Sequence, residues 1–497
     1  MRFSVTTLGC KVNQYDGCAI AEALHRAGLL QAGQSFGGEP PAEVVVVNTC
    51  CVTTAAMRKS RQAIRRAARS APAACILVTG CHADYDPAAI AALLSSLHVP
   101  PGQAIIAGHH ADLAGCLAQV VRLAGTSCSV SCSGGSAPVG EGPGAGCIGS
   151  DRAVSAGTSA APATPQSIKA RRDAAVKNKA PGTRALPPPR HFPGRQRAFV
   201  KVQDGCDAFC SYCVVPYTRP VLWWRGMEDV EAQCRRLVAA GHKEIVLCGV
   251  FLGAYGQNTA MRQKWNGPSL LPQIIARVAA IKGLWRLRLS SLECNDVTED
   301  LLATCLDRPN VAPHFHLPLQ SGSDRILLAM NRQYSVGQFH ECLDRIRRRL
   351  DRPAITTDII VGFPGESQED FAATLAAARK AGFSRIHAFP FSPIPGTAAW
   401  TRRHDCPPAA VVKARMAELT SLGNRLARDF RRQFIGETLE VLAEDRRSGK
   451  AGWREGLSER YLSVRFKAPA LQPGDVAAVR IDRCGPTGLL GRLAGAP

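Results

Sequence analysis

The chain has 497 residues, 46% of them hydrophobic, with 20 cysteines and a formal net charge of +21, which excludes a disordered or fibrous polypeptide and predicts roughly three folded domains. No apolar run approaches the roughly 18 residues that span a bilayer, and "MRFSVTTLGCKVNQYDG" has no basic segment leading into an apolar one, so neither a membrane protein nor a secretory precursor is expected, and a cytoplasmic compartment is. The Lys and Arg excess points to a polyanionic partner, because basic side chains gain affinity by releasing counterions from phosphates. In a reducing compartment the cysteines read as metal ligands or buried apolar residues, not disulfides.

Strands are predicted at residues 3–8, 43–52, 74–81 and 104–108, with helical patterns at 17–28 and 57–70 between them. Strands alternating with helices build a parallel sheet, so residues 1–123 read as a doubly wound α/β domain. Between 125 and 191 no Phe, Trp or Tyr occurs, and Gly, Ser, Ala and Pro dominate. Such composition does not bury enough apolar surface to offset ordering entropy, so 124–195 is expected to be a disordered linker or insertion. From 196 the βα rhythm returns, with strands at 198–203, 244–250, 285–291, 312–319, 354–363 and 384–391. Helices at 227–241 and 367–382 fit between them, the second with Ser367 as its N-cap. Six such units make a partial or full βα barrel over 196–433, ending in a basic helix at about 409–433. The tail, 434–497, carries short strand patterns at 437–445, 461–466 and 475–481 and reads as a small β-barrel.

The stretch "DGCDAFCSYCVVPYTR" (204–219) sets Cys206, Cys210 and Cys213 directly after the first barrel strand, where barrel chemistry normally sits. No fourth cysteine follows at a spacing that closes a structural zinc site. Three thiolates on a four-iron cube leave one iron open, and C-x3-C-x2-C favours that cluster over zinc. Cys10, Cys50 and Cys81 stand at or just after the ends of three N-terminal strands. The C-terminal ends of parallel strands lie along one edge, so these thiols are expected to converge on a second cluster. Cys51 adjoins Cys50, but alternation points only one of them inward, and Cys50 is expected.

The cysteine triplet, with Tyr212 before its last member, resembles the signature of radical S-adenosylmethionine enzymes. Together with "LGCKVNQYD", "VNTC", "TGC", "RLSSLE", "HLPLQSGSD", "MNRQYS", "TTDIIVGFPGE" and "FPFSPIPGT", the chain outside the linker resembles the methylthiotransferase family. "GCKVNQYD" is most similar to the branch acting on threonylcarbamoyladenosine in tRNA. The resemblance implies two 4Fe–4S clusters and S-adenosyl-L-methionine as cofactors. The cluster on Cys206, Cys210 and Cys213 would generate the radical that removes hydrogen from adenine C2. The cluster on Cys10, Cys50 and Cys81 would hold the sulfur that a second cofactor molecule methylates. It further implies a TRAM-like RNA-binding tail, tRNA as partner, and an electron donor such as a flavodoxin- or ferredoxin-like protein, with the sulfur donor open.

Tyr212, Gly249, Ser291, Glu293, Gln320, Ser321, Asp358 and Gly362 are the expected cofactor-binding positions, with barrel packing as the competing role for Ser291, Glu293, Gln320, Ser321 and Asp358 and a tight turn for Gly362. His314 and His316 share a strand face, but no ligand partners are evident and a structural role is expected. Trp223 and Trp224 suit base stacking or packing equally. Alternatives are methylthiolation of isopentenyladenosine or of a ribosomal-protein aspartate, or a cluster-bearing RNA-binding protein without catalysis. The chain departs from the family pattern at Pro220, where glycine is usual, at Cys294 for proline and at Ile394 for arginine.

Overall fold

The structure, a computed structural model, describes residues 1–32, 42–109, 111–130, 154–155, 186–444 and 452–495. They divide into two compact units, Met1–Pro189 with Cys213–Val221 and Ile394–Gly396, and Arg190–Tyr212 with Leu222–Pro393 and Thr397–Pro497.

The first unit is built on β1 (Arg2–Thr7), β2 (Leu30–Gln31), β3 (Val44–Thr49), β4 (Cys75–Gly80), β5 (Ala104–Ala107) and β6 (Val154–Ser155), in the order β2-β1-β3-β4-β5-β6. The first five run parallel and β6 pairs antiparallel with β5. β3 and β4 are continuously apolar because helices cover both faces. Val44, Val46 and Leu77 pack against Ile20 and Leu24 of helix Lys11–Arg26 and Leu117 of helix Leu113–Val130. Val45, Val47 and Val78 pack against Ile64 of helix Thr54–Ser70 and Ile90 of helix Pro87–Ser96. The chain leaves β1 outward to β2 and returns inward to β3, so the strand order reverses between β1 and β3. In doubly wound sheets such a reversal opens a crevice at the C-terminal strand edge.

The first helix starts at Lys11, not at residue 17, because Val12 and Tyr15 are buried and extend its apolar face back through the motif "KVNQYD". Helix Leu113–Val130 likewise continues past the expected boundary at 123. Most of the linker expected at 124–195 lies outside the described residues. Its C-terminal end already belongs to the fold: Phe192 is fully buried, edge-on to Phe199, and its amide donates to His242 Nε2 at 3.3 Å.

The second unit contains β7 (Arg197–Lys201), the two-residue pair β8 (Gln203–Asp204) and β9 (Trp223–Trp224), then β10 (Glu244–Cys248), β11 (Arg286–Leu289), β12 (His314–His316), β13 (Ala354–Val361) and β14 (Arg385–Pro390). Two parallel sheets, β11-β10-β7 and β12-β13-β14, are joined by parallel bridges Leu287↔Val311 and Ser291↔His316. The result is a six-stranded partial βα barrel with β7 and β14 as its edges.

Behind it, β15 (Thr438–Glu444), β16 (Trp453–Ser458), β17 (Ser463–Lys467), β18 (Val476–Cys484) and β19 (Leu489–Leu493) close a small barrel around Val441, Val464, Phe466 and Val479. β16 and β19 escape a sequence reading because "WREGLS" and "LLGRL" break the alternating pattern. This barrel covers the N-terminal ends of the larger barrel's strands. Arg286 donates to Glu440 O at 2.9 Å, and Arg288 donates to Glu459 O and Ser458 O, both at 2.6 Å. Glu244, fully buried, offsets the Arg288 charge at 2.8 Å, and the Tyr461 ring lies under both Arg288 and His314. The C-terminal strand ends are therefore the open end, where ligands enter such folds. No helix among the described residues is long and apolar enough to cross a membrane.

Candidate metal centres

Cys10, Cys50 and Cys81 each follow a parallel strand of the first unit at its C-terminal end. Cys10 is the N-cap of helix Lys11–Arg26, Cys50 comes directly after β3, and Cys81 opens the short helix Cys81–Tyr85 after β4. Two glycines make the approach possible. A Cβ on Gly9 (φ +99°) would lie 2.9 Å from Cys50 Sγ, and one on Gly80 (φ +92°) would lie 2.4 Å from Thr49 O. Asn13, fully buried, donates from Nδ2 to Leu8 O and Thr49 O, each at 2.8 Å, and so ties together the loops that follow β1 and β3.

Arg219, from the stretch Cys213–Val221 of the same unit, is only 4% exposed and donates to Asn13 Oδ1 at 2.9 Å and Asp16 Oδ2 at 2.7 Å. Burial pushes the Cys81 thiol up to about 12, while the Arg219 charge and hydrogen bond work to lower it. Burial also raises Cys50, with Cys10 adding to the rise and Arg219 opposing it. Three strand-end cysteines beside the buried Arg219 suit thiolate ligation of an iron–sulfur cluster, whose net charge and hydrogen bonds set its properties. Cys51 is fully buried with Met57, Tyr85, Val214 and Ile394 in an apolar cluster that also holds Cys81. The Ile394 departure is thereby accounted for, since an arginine there would enter an apolar core.

The second cysteine group is braced from several elements. Gln203, fully buried, donates to Asp204 O and Gly205 O at 3.0 and 2.7 Å and accepts from Phe251 N at 2.8 Å. Asp207 accepts from Thr259 Oγ1 at 2.7 Å and Ala260 N at 2.6 Å. The stretch "MNRQYS" clamps the loop. Ser211 N donates to Met330 O at 2.9 Å, and Asn331 Nδ2 donates to Ala208 O and Phe209 O at 3.2 and 3.0 Å. Arg332 Nη1 lies 3.2 Å from Cys210 Sγ while Nη2 pairs with Glu293 Oε1 at 2.7 Å. Burial opposes the Arg332 charge, yet Tyr334, Glu293, Tyr212 and Cys210 hold its pKa well above the usual value.

The remaining expected positions fall into two groups. Glu293 lies after β11 with Oε2 buried and without a hydrogen-bond partner, a carboxylate oxygen that calls for a donor. Ser291 is exposed and bridged through its backbone to His316. Gln320 holds a left-handed backbone (φ 62°) locked between Asp358 O and Ile360 N. Tyr212 packs against the buried cluster of Ile326, Met330, Phe363 and Ala399. Asp358 is half-buried, with Oδ2 3.3 Å from His316 Nε2. Gly249 lies against Gln203, and the Gly362 amide donates to Glu366 Oε2 at 2.8 Å. Ser321, by contrast, is fully buried with its hydroxyl 3.4 Å from Thr374 and accepting from Ser323 N, which makes it a packing residue. His316 departs from the expected structural role, because Asp358 and His387 stand beside it. Trp223 and Trp224 both remain 37% exposed, with Lys201 over the Trp223 ring at 5.4 Å.

Arg219, Asn13, Arg332 and Asn331 were not singled out by sequence reasoning. Only their membership of quoted motifs signalled them, because their partners are far away in the chain.

Residues 200–378 match the Radical SAM superfamily, and residues 2–99 match the group described as Uncharacterized protein family UPF0004. The chain is 33% identical over 484 residues to the threonylcarbamoyladenosine tRNA methylthiotransferase MtaB of Bacillus subtilis (strain 168), covering 96% of this chain and 93% of that relative. It is 38% identical over 309 residues to the tRNA-2-methylthio-N(6)-dimethylallyladenosine synthase of Paracoccus denitrificans (strain Pd 1222), covering 62% and 68%. A solved structure of the radical S-adenosylmethionine methyltransferase TsrM from Kitasatospora setae, with tryptophan substrate and a SAM analog bound, superposes with a TM-score of 0.51 at 14% identity, covering 91% and 78%, and shares the fold.

Proposed function

The chain belongs to the radical S-adenosylmethionine tRNA methylthiotransferase family, and on that premise we propose that it methylthiolates C2 of N6-threonylcarbamoyladenosine at position 37 of tRNA. It is a transferase whose cofactors are S-adenosyl-L-methionine and two 4Fe–4S clusters. The substrate choice is supported by the Bacillus subtilis threonylcarbamoyladenosine enzyme, whose likeness runs over 96% of this chain. A second such relative, from Chlamydia pneumoniae, matches 61% of it, much as the dimethylallyladenosine enzymes match 62% and 60%.

In this reading Cys206, Cys210 and Cys213 hold the cluster whose open iron takes S-adenosylmethionine, and Cys10, Cys50 and Cys81 hold the other. Bound there, these groups supply one-electron chemistry that breaks an unactivated adenine C–H bond, for which side chains offer no acid–base route, and a carrier for the transferred sulfur. The chain supplies orientation and charge. Arg332 donates to Cys210 Sγ and offsets cluster charge. Glu293 Oε2, buried and unpartnered, accepts from a cofactor hydroxyl or amine. Tyr212, Gly249, Ser291, Gln320 and Gly362 line the open strand ends, and Arg219, itself paired with Asp16, favours the thiolate forms of Cys50 and Cys81. The small β-barrel and helix Ala409–Arg432 offer Trp453, Arg465, Arg483, Arg425 and Arg428 to RNA bases and phosphates. A flavodoxin- or ferredoxin-like protein delivers the electrons.

Arg332→Gln is expected to lower the reduction potential of the first cluster. A lost charge-assisted hydrogen bond is worth about 1.5 kcal/mol, or about 60 mV for a one-electron couple. An EPR-monitored redox titration checks it, and a potential equal to the parent's would remove Arg332 from the site. The substrate reading is tested by nucleoside mass spectrometry of tRNA from a strain lacking the gene. Loss of the methylthio group from threonylcarbamoyladenosine is expected, and its persistence would refute the assignment.

A further inference from the structure

In the first unit β1, β3 and β4 each lead into a cysteine, whereas β5 leads into a histidine. β5 runs parallel to β4 with Ala107 opposite Thr79, so its C-terminal end lies on the edge that carries Cys10, Cys50 and Cys81. His109 stands two residues past that end. Its Nε2 is 3.4 Å from Cys81 Sγ, and both groups are largely buried, the imidazole 13% and Cys81 4% exposed. The short helix that carries Cys81 also fixes the histidine. Cys81 and Asp84 lie three positions apart on helix Cys81–Tyr85, hence on one face. Asp84 accepts the His109 amide with both carboxylate oxygens, at 3.1 and 2.9 Å. A Cβ on Gly108 would collide with Asp84 Oδ1, so glycine is what admits the carboxylate there. Asp84 Oδ2 is 3.9 Å from the ring Nε2, beyond hydrogen-bond reach, which leaves Cys81 Sγ the nearer of the two.

A thiol and an imidazole can share such a contact with either one donating. A cysteine that ligates iron has given up its proton, so only the ring is then able to donate. We infer that His109 donates from Nε2 to Cys81 Sγ when Cys81 ligates the second cluster, and so raises that cluster's reduction potential. A hydrogen bond to a ligating sulfur withdraws electron density and stabilises the reduced state. Arg219 also hydrogen-bonds this sulfur, so Cys81 is supported from the end of β5 as well as from the stretch Cys213–Val221. His109 acts here as a positioning residue, since it touches a ligand and no reacting atom. The inference rests on the assignment of Cys10, Cys50 and Cys81 to the second cluster.

The test uses full-length protein carrying Cys206→Ala, Cys210→Ala and Cys213→Ala, reconstituted anaerobically with iron and sulfide, so that only the second cluster is read. This background is expected to hold about four irons per chain, and a background that holds none shows instead that the cysteine assignment itself is wrong. An EPR-monitored redox titration then compares the histidine variants. His109→Phe is expected to shift the midpoint to a more negative potential. His109→Gln, which keeps an N–H donor, is expected to restore much of that shift. A midpoint unchanged in His109→Phe, or shifted equally in both variants, overturns the inference. Pulsed EPR of the background with nitrogen-15-labelled histidine keeps the test decisive where a variant fails to hold iron. A weakly coupled histidine nitrogen that His82→Phe leaves in place is expected. Absence of that coupling overturns the inference, and the strong coupling of a directly bound nitrogen overturns it in favour of His109 as a fourth ligand.

Discussion

Cys50→Ala is expected to abolish methylthio transfer and remove about half of the iron, while S-adenosylmethionine cleavage persists. Cys51→Ala is expected to keep both. The two cysteines are neighbours in sequence, and their surroundings differ. Cys50 is coupled to Cys10 and Arg219, and Gly9 has no side chain to separate the two loops. Cys51 is fully buried beside Met57, Tyr85, Val214 and Ile394, in the cluster that also holds Cys81, where truncating its CH2–SH side chain to a methyl costs on the order of 1 kcal/mol. Iron and sulfide analysis beside product assays on the two variants decides it. Iron lost from Cys51→Ala and kept in Cys50→Ala would transfer the ligand role to Cys51. Cys206→Ala should behave differently from both, losing cleavage and transfer together.

Arg219→Met is expected to destabilise the protein by about 3 kcal/mol or more, because removing one partner leaves the other buried charge uncompensated. Asp16 is 12% exposed and its partner Arg219 4%, so solvent screens the pair little. The same change should lower occupancy of the second cluster, since the cation that offsets its thiolates is gone. Pairing it with Asp16→Asn separates these effects: thermal stability should recover substantially and iron content should not. A single variant with parental melting temperature and full iron would show that Arg219 is neither structural nor a counter-charge. The family departure at Pro220 fits this arrangement. Arg219 caps the C-terminus of helix Val215–Thr218 with φ −134° and ψ 61°, outside the α region that a following proline disfavours.

Much of the site was legible because strand ends are legible. Apolar runs closed by Gly and Cys mark where β1, β3 and β4 stop, and parallel pairing then brings Cys10, Cys50 and Cys81 to one edge. The six βα units were readable for the same reason. What stayed hidden depends on long-range contacts between polar residues that carry no periodic signal. Arg219 meets Asn13 across 206 positions and Arg332 meets Cys210 across 122. His316, Asp358 and His387 come from three strands and meet only through register. The first turn of helix Lys11–Arg26 carries no clear periodic signal, because polar motif residues surround the buried Val12 and Tyr15.

Reconstituted protein supplied with S-adenosylmethionine, a reductant and tRNA bearing threonylcarbamoyladenosine, followed by nucleoside mass spectrometry, probes the assigned reaction most directly. The methylthio derivative of that nucleoside should accumulate, and Cys206→Ala protein should form none. Product confined to isopentenyladenosine, or absent from protein that holds both clusters and cleaves S-adenosylmethionine, would contradict it.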